Sequence, residues 1–459
     1  MNSATGLSSA YLRSSLRSAF TPALVFCAAS ILPGAPPQAI GPQGINHLPA
    51  IVFVRAHKVV AGEWTRRFPA GSRLVLFDPR SSTRSVTELT PDFFAAADPQ
   101  VSPDATKILF SAQRTAGALW QVWEMDANGS EQRQITHCTA DCMKPAFLPH
   151  ERIVYTAFSG TRREQTSAVY VSDESGAGGH PITFGPGKFQ VETVLQDGRI
   201  LISAASPLKA GGNGRGARTL YTIHPDGTEL TVFRQDAHPD FAQGGAEELS
   251  DGTVLFMERR DMAGRVGEGE LAWTRPAAMH NAHVTPGQPV YLSAHELDGG
   301  TLVVSRKRPG SPANDKFDLY AFNLEKKAVG PLIYRDPNFS SVEAVPMEQR
   351  PVPRHYWSIL HPESKTGRVI CLNAYLSADA PGGRWRQPIA RVRVLTLEAD
   401  HAAEGVLGEV PVEEDGSFYI SVPADRPIRF ELLGAKGTVI RAQRSWIWTR
   451  PGEDAGCLG

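Results

Sequence analysis

The chain has 459 residues, 41% hydrophobic and 21% charged, with 42 glycines and 35 prolines spread between short apolar runs. Its formal net charge is −1, from 47 basic and 48 acidic side chains, which excludes a nucleic-acid partner held through a large basic face. Such a composition fits a turn-rich globular protein large enough for more than one core and excludes a disordered chain.

Residues 1–39 read as a signal peptide or export segment. Arg13 and Arg17 precede an apolar stretch from Phe20 to Leu32, and small residues with proline follow from Pro33 to Ala39. The stretch is short for a bilayer span of about 20 residues, and no later segment is apolar enough to cross. A periplasmic or secreted product is expected, with Cys27 removed alongside the signal.

A repeat occupies the next three hundred residues. Five segments share a turn of Asp, Gly or Pro followed by an apolar strand: Pro103–Phe110, Pro149–Tyr155, Asp197–Ile202, Asp251–Phe256 and Asp298–Val304. Markers Asp104, His150, Asp197, Asp251 and Asp298 recur at steps of 46, 47, 54 and 47 residues. A strand-bearing period of this size, of the WD type, signifies propeller blades. A second hairpin follows within the repeats, turning at Asp126–Gly129, Asp173–Gly176, Pro225–Thr228 and Asn323. Asp and Asn bond their own backbone in such turns and Gly supplies positive φ. Each period therefore holds a four-stranded blade. An earlier copy at Ile51–Val54 and Arg73–Phe77 makes six blades over residues 48–350, and Ser341–Val345 is placed to close the ring on the first.

Two features stand out within the repeat. Cys138 and Cys142 share a polar loop with His137 and Asp141. In an exported protein that spacing favours a local disulfide, with two thiols or a metal site as the alternatives. In the degenerate fifth copy, His280 and His283 are the most ligand-like histidine pair, with Glu247, Glu248, Glu268 and Glu270 close in sequence. They are candidate metal ligands, set against an ordinary polar loop. No Gly-x-Ser-x-Gly elbow occurs, and Gly211–Gly216 lacks the Lys-Ser/Thr ending of a phosphate loop.

Pro351–Pro353 marks a linker. Alternating strands at Val392–Leu395, Gly416–Val422, Ile428–Leu432 and Thr438–Ile440 then give a small β-sandwich over residues 354–450. His355 and His361 flank Tyr356 and Trp357 at its start and are expected to pack at the domain junction. The fold class is all-β: a six-bladed propeller followed by this sandwich.

The blade residues Val101–Asp104, Ile108–Ser111, Asp126–Gly129 and Gln134–Thr136 resemble the repeats of TolB-type propellers. Leu407–Val412, Asp415–Phe418, Val422–Asp425 and Ser445–Trp448 followed by Arg450–Glu453 resemble the family related to the hydrazine synthase alpha subunit. That resemblance implies a TolB-like propeller joined to a middle domain with a c-type haem. It does not imply hydrazine synthesis.

In that family a Pro-Gly-Glu run like Pro451–Glu453 is soon followed by a Cys-x-x-Cys-His haem attachment site. Here Cys457-Leu458-Gly459 gives the first cysteine and two spacers. Two thiols and an imidazole are needed, so residues 451–459 read as a truncated or decayed attachment segment. No cofactor is expected as written, and a c-type haem only if the chain continues. The expected function is an exported scaffold that binds a protein or small ligand on its propeller loops. The alternatives are the N-terminal part of a haem redox enzyme, or a metal enzyme using His280 and His283.

Overall fold

The structure, a computed structural model, describes residues 45, 47–59, 68–160, 166–205, 218–233, 241–260, 269–275, 283–284, 290–309, 316–377, 381–397, 404–443 and 445–457. The export segment, Cys27, His280 and the Gly211–Gly216 loop lie outside these residues. Among the described residues the regular elements are mostly strands, with a short 3-10 turn at Pro381–Gly383.

Twenty-four of the described strands fall into sets of four. The first set runs Ser340–Pro346, Ile51–Ala56, Arg73–Phe77 and Val86–Glu88. The second runs Ala95–Val101, Lys107–Gln113, Gln121–Asp126 and Arg133–Gln134, and the third Cys142–Leu148, Arg152–Ser159, Thr166–Asp173 and His180–Pro181. The fourth runs Lys188–Val194, Ile200–Ala205, Arg218–Ile223 and Thr231–Val232, and the fifth Phe241–Glu248, Val254–Arg260, Glu270–Thr274 and His283–Val284. The sixth runs Tyr291–Asp298, Thr301–Lys307, Phe317–Asn323 and Ala328–Tyr334. One parallel bridge, Ser167 to Lys188, ties the third set to the fourth.

The first strand of every set packs on the first strand of the next, and these six strands form a closed cycle. Closure comes from the C-terminal side of the repeat. Ser340–Pro346 pairs antiparallel with Ile51–Ala56, so the two ends of the propeller share one blade.

Burial follows position in the blade. The first and second strands are covered on both faces by neighbouring blades, so apolar residues run without alternation: Ile51 to Val54, Ile108 to Phe110 and Ile200 to Ile202 are all fully buried. The outer strand Val86–Glu88 is half-buried to exposed. Phe53, Phe110, Phe256, Phe317 and Phe322 fill the spaces between blades, each contributing about 1.5–3 kcal/mol of transfer free energy.

The second region is a sandwich of two sheets. One has the order Phe418–Pro423, Thr366–Cys371, Asp454–Cys457; the other has Glu404–Pro411, Arg391–Leu397, Ile428–Leu433, Val439–Ala442. Val369, Val392, Phe418, Ile420 and Ile428 form the core between them. The last strand extends the sandwich beyond residue 450: Asp454–Cys457 pairs parallel with Thr366–Cys371.

The sandwich docks on the turn Pro225–Thr228 of the fourth blade. Trp448 Nε1 donates to the Gly227 carbonyl at 3.1 Å, and its ring joins the blade core beside Phe184 and Phe189. Arg450 Nε donates to the Asp226 carbonyl at 2.7 Å, and Ser358 Oγ to the Asp226 carboxylate at 2.7 Å. Gly227 has φ +87°, and a Cβ there would lie 2.9 Å from the Arg450 side chain. Only glycine permits both the turn and this approach.

Candidate functional site

The ring of inner strands encloses a channel, and its geometry is set by β-bulges. The register slips at Ala97/Gln100, Met143/Ala146, Val191/Thr193 and Gly244/Glu247, and in the closing strand around Glu343. Asp98, Lys144 and Glu343 take φ of 53°, 55° and 53° there, and Gly245 takes 62°. A bulge leaves a backbone group out of the ladder and re-aims its side chain. In this ring the re-aimed groups line a narrow waist of about 60 Å³ that includes Asp98, Lys144, Glu192, Gly245, Ser293 and Glu343.

The freed N–H groups are met by side chains of the adjoining blade. Asp98 N donates to Glu343 Oε2 at 2.9 Å, Gly245 N to Glu192 Oε2 at 2.6 Å and Glu343 N to Ser293 Oγ at 3.0 Å. Ser111 Oγ donates to Asp98 Oδ2 at 2.7 Å and accepts Lys144 N at 3.0 Å. Lys144 Nζ sits 2.9 Å from Asp98 Oδ1 and 3.8 Å from Glu343 Oε1. Beneath Glu192, Ser203 Oγ donates to it at 2.5 Å and takes a bond from Arg218 Nη1 at 2.7 Å. Burial pulls Arg218 down to about 10, which leaves it charged at neutral pH. Hydrogen bonds to charged groups are worth about 1.5–3 kcal/mol each, so this belt is a strong tie between blades.

Beside the waist lies a cavity of about 400 Å³, which shares Gln100, Glu247, His295 and Val345 with it. Its wall carries Glu247, Glu248, Glu296, Asp298 and Glu348 against one guanidinium, Arg350, and one imidazole, His295. The segment leaving the closing strand, Val345 to Pro353, crosses this mouth. Arg350 is fixed by its own bonds to the Pro103 and Val101 carbonyls.

Two of the mouth carboxylates also tie blades together. Glu248 Oε2 accepts Gln196 N at 2.5 Å and Glu296 Oε2 accepts Ser250 N at 2.6 Å, each from the turn of the preceding blade. Burial, with Asp197 and Glu247 nearby, raises the Glu248 carboxyl above its ordinary range. Burial acts the same way on Glu247. There the His295 ring at 3.6 Å and Arg350 at 3.6 Å prevail and hold the carboxyl below its ordinary value.

Of the residues singled out in the sequence, Glu247 and Glu248 line this mouth, and the other described ones fall elsewhere. His283 lies on the outermost strand of the fifth blade, opposite Trp273, while Glu247 and Glu248 lie on the innermost. At about 4.8 Å per strand the two are roughly 14 Å apart, so adjacency in sequence does not become a cluster. Among the described residues no group of three His, Cys, Asp or Glu side chains is arranged to hold a metal ion. Cys138 and Cys142 are joined by a disulfide, with Cα atoms 6.3 Å apart, at the crossover between the second and third blades. His355 packs edge-on against His150 and Trp357, with ring centroids 4.1 and 4.4 Å apart, and His224 stacks on Tyr356 at 4.0 Å.

At the C-terminal end of the described residues, Cys457 and the nearby histidine are placed as follows. Cys457 is exposed, and the thiol beside it, Cys371, is buried on a neighbouring strand rather than three positions along the chain. The histidine against Pro451–Gly452 is His361, held by its backbone N–H on the Pro451 carbonyl at the far end of the strand from Cys457.

Comparison with known proteins agrees with this architecture. Residues 363–459 match the family model described as the hydrazine synthase alpha subunit middle domain. The curated hydrazine synthase subunit alpha of Kuenenia stuttgartiensis is 23% identical over 541 residues, covering 89% of this chain. The chain spans 65% of that relative's length. The solved Kuenenia stuttgartiensis hydrazine synthase superposes with a TM-score of 0.78 at 20% identity, over 89% of this chain and 69% of the solved chain. TolB from Acinetobacter baumannii superposes with a TM-score of 0.47 at 13% identity, over 64% of this chain and 66% of TolB. The chain is therefore related to the hydrazine synthase alpha subunit family, as an all-β protein in which a β-propeller precedes that family's middle domain.

Proposed function

We propose that this chain is an exported binding scaffold whose channel mouth receives a basic segment of a partner protein. The observation that carries the reading is the cavity of about 400 Å³ walled by five carboxylates against one guanidinium and one imidazole. A cleft lined by one sign of charge focuses its field and draws in the opposite charge. The wall is pre-formed, because Glu248 and Glu296 are already held by backbone N–H groups of neighbouring blades. Export is supported by the Cys138–Cys142 disulfide, a bond that persists in oxidising compartments. The signal-like order of Arg13, Arg17 and the Phe20–Leu32 stretch points the same way.

The test uses two labelled peptides of equal length, one rich in lysine and one rich in glutamate, titrated with the full chain and followed by fluorescence anisotropy. The lysine peptide binds, and its affinity falls as salt rises; the glutamate peptide does not bind. Equal behaviour of the two peptides removes the reading. Production in a host that attaches c-type haem is the second arm. The scaffold reading predicts protein with no haem absorbance, whereas a Soret band on this chain would move the account to a redox role.

A further inference from the structure

The structure points to a second covalent tie, and we infer that Cys371 and Cys457 form a disulfide that fastens the last strand to the sandwich. This inference is independent of the binding role proposed for the propeller.

The two cysteines are register partners. Asp454–Cys457 runs parallel to Thr366–Cys371 with Arg368 opposite Asp454, Val369 opposite Ala455, Ile370 opposite Gly456 and Cys371 opposite Cys457. Opposed residues on neighbouring strands share one face of the sheet, and the strands lie about 4.8 Å apart. That separation falls inside the roughly 4.4–6.8 Å between Cα atoms that a disulfide spans. The backbone is hydrogen-bonded at the pair itself, since Leu372 N donates to the Cys457 carbonyl at 2.9 Å. The other end of the strand is pinned by Arg368, whose Nη2 lies 2.7 Å from Asp454 Oδ2. Register is thus fixed from both ends, and the two sulfurs are not free to slide apart.

The environments of the two thiols differ in a way that orders the chemistry. Cys371 is buried among Val369, Phe418 and Ile420, while Cys457 is exposed. A hydrogen bond shared with the Cys457 thiol, together with burial, holds the Cys371 thiol far above the ordinary range. An oxidant in solution therefore meets Cys457 first. Its thiol loses its proton to solvent, and the resulting thiolate attacks a small-molecule disulfide, forming a mixed disulfide with release of one thiol. Cys371 then displaces the second thiol. Two S–H bonds are lost, one S–S bond forms, and the donor disulfide takes both electrons and leaves as two thiols.

Two consequences follow. The new bond closes a loop from residue 371 to residue 457 around the whole sandwich, which restricts the unfolded chain. It also consumes the Cys457 thiol, so the same sulfur cannot carry a thioether.

The experiment uses the full chain, equilibrated with oxidised and reduced glutathione, quenched with iodoacetamide and digested without reduction for mass mapping. A peptide pair joining Cys371 to Cys457 is expected, beside the Cys138–Cys142 pair as an internal control. In Cys371→Ala, Cys457 ends as a glutathione adduct and no cross-link involving it appears. In Cys457→Ala, Cys371 takes no label until the protein is denatured. The inference is overturned if wild-type Cys457 ends as a glutathione adduct, an alkylated thiol or a haem thioether while Cys371 is recovered as a thiol. These outcomes are read on the wild-type chain, so they do not depend on either variant folding.

Discussion

Replacing Arg450 with alanine should loosen the sandwich from the propeller without damaging either. The Arg450 side chain is only 8% exposed and makes three contacts. Its Nε bonds the Asp226 carbonyl at 2.7 Å, a charged hydrogen bond worth about 1.5–3 kcal/mol. Its Nη1 lies 2.6 Å from Asp425, whose side chain is 39% exposed, so solvent screening limits that pair to about 0.5–1 kcal/mol. Burial holds the Asp425 carboxyl above its ordinary range in spite of Arg450, which also marks the pair as a modest one. The guanidinium stacks 5.2 Å from the Phe184 ring centroid, adding about 0.5–1 kcal/mol. The Asp425 pair lies within the sandwich, so the two contacts that cross to the propeller, with Asp226 and Phe184, sum to about 2–4 kcal/mol, a shift of roughly one and a half to three powers of ten in the docking equilibrium. Limited trypsin digestion reads that equilibrium through cleavage after Arg354, in the linker, because cleavage tracks the open population. Calorimetry should show the sandwich transition moving down and separating from that of the propeller. Arg450→Lys should fall between, since it keeps the charge but not the planar fork. Wild-type cleavage rate and a single unshifted transition in Arg450→Ala would refute the reasoning.

Two further predictions concern the linker and the mouth. Gly198 and Gly252 occupy equivalent turns at φ +90° and +80°, but a Cβ at Gly198 would lie 2.3 Å from the Arg354 carbonyl while one at Gly252 meets nothing within 4 Å. Gly252→Ala should cost about 1–2 kcal/mol from backbone strain alone, and Gly198→Ala more, with faster trypsin cleavage after Arg354; equal urea midpoints and equal cleavage would count against it. Glu247 and Glu248 should give pH profiles of opposite sign. The Glu247 carboxyl is depressed below its ordinary 4.5, so its contribution to stability is present above pH 4.5 and is lost as pH falls through the folded value. Glu248 is raised, so its contribution is present below 4.5 and is lost as pH rises through the folded value. Glu247→Gln should flatten the acid limb of stability against pH and Glu248→Gln the limb above it, as measured by denaturant unfolding; matching profiles would contradict the assigned environments.

How much of this was legible in the sequence depended on whether the cause was local. The turns at Asp197-Gly198 and Asp251-Gly252 declare themselves, because positive φ and a self-bonding aspartate act within four residues. The closing strand was legible too, as an apolar run with no partner in its own repeat. The channel was not. Glu343 is there to accept the N–H of Asp98, 245 residues away, and no short-range pattern distinguishes it from a solvated glutamate. The prolines after Asp98 and Lys144 were the one available hint, since proline within a strand is confined to edges and bulges. Trp448 and Arg450 were conspicuous as a motif, but that they grip a propeller turn follows only from how the two domains meet. His280 and His283 attracted notice by spacing alone, whereas strand order separates His283 from Glu247.

The central claim is that the carboxylate-walled mouth is where a basic partner segment binds. Hydrogen–deuterium exchange of the full chain, with and without a saturating lysine-rich peptide, tests it most directly. The account predicts new protection confined to Glu247–Ser250, Glu296–Asp298 and the exit segment Val345–Pro353, abolished in the Glu296→Gln/Asp298→Asn variant. Protection on the outer strands or the sandwich, or none at saturating peptide, would contradict it.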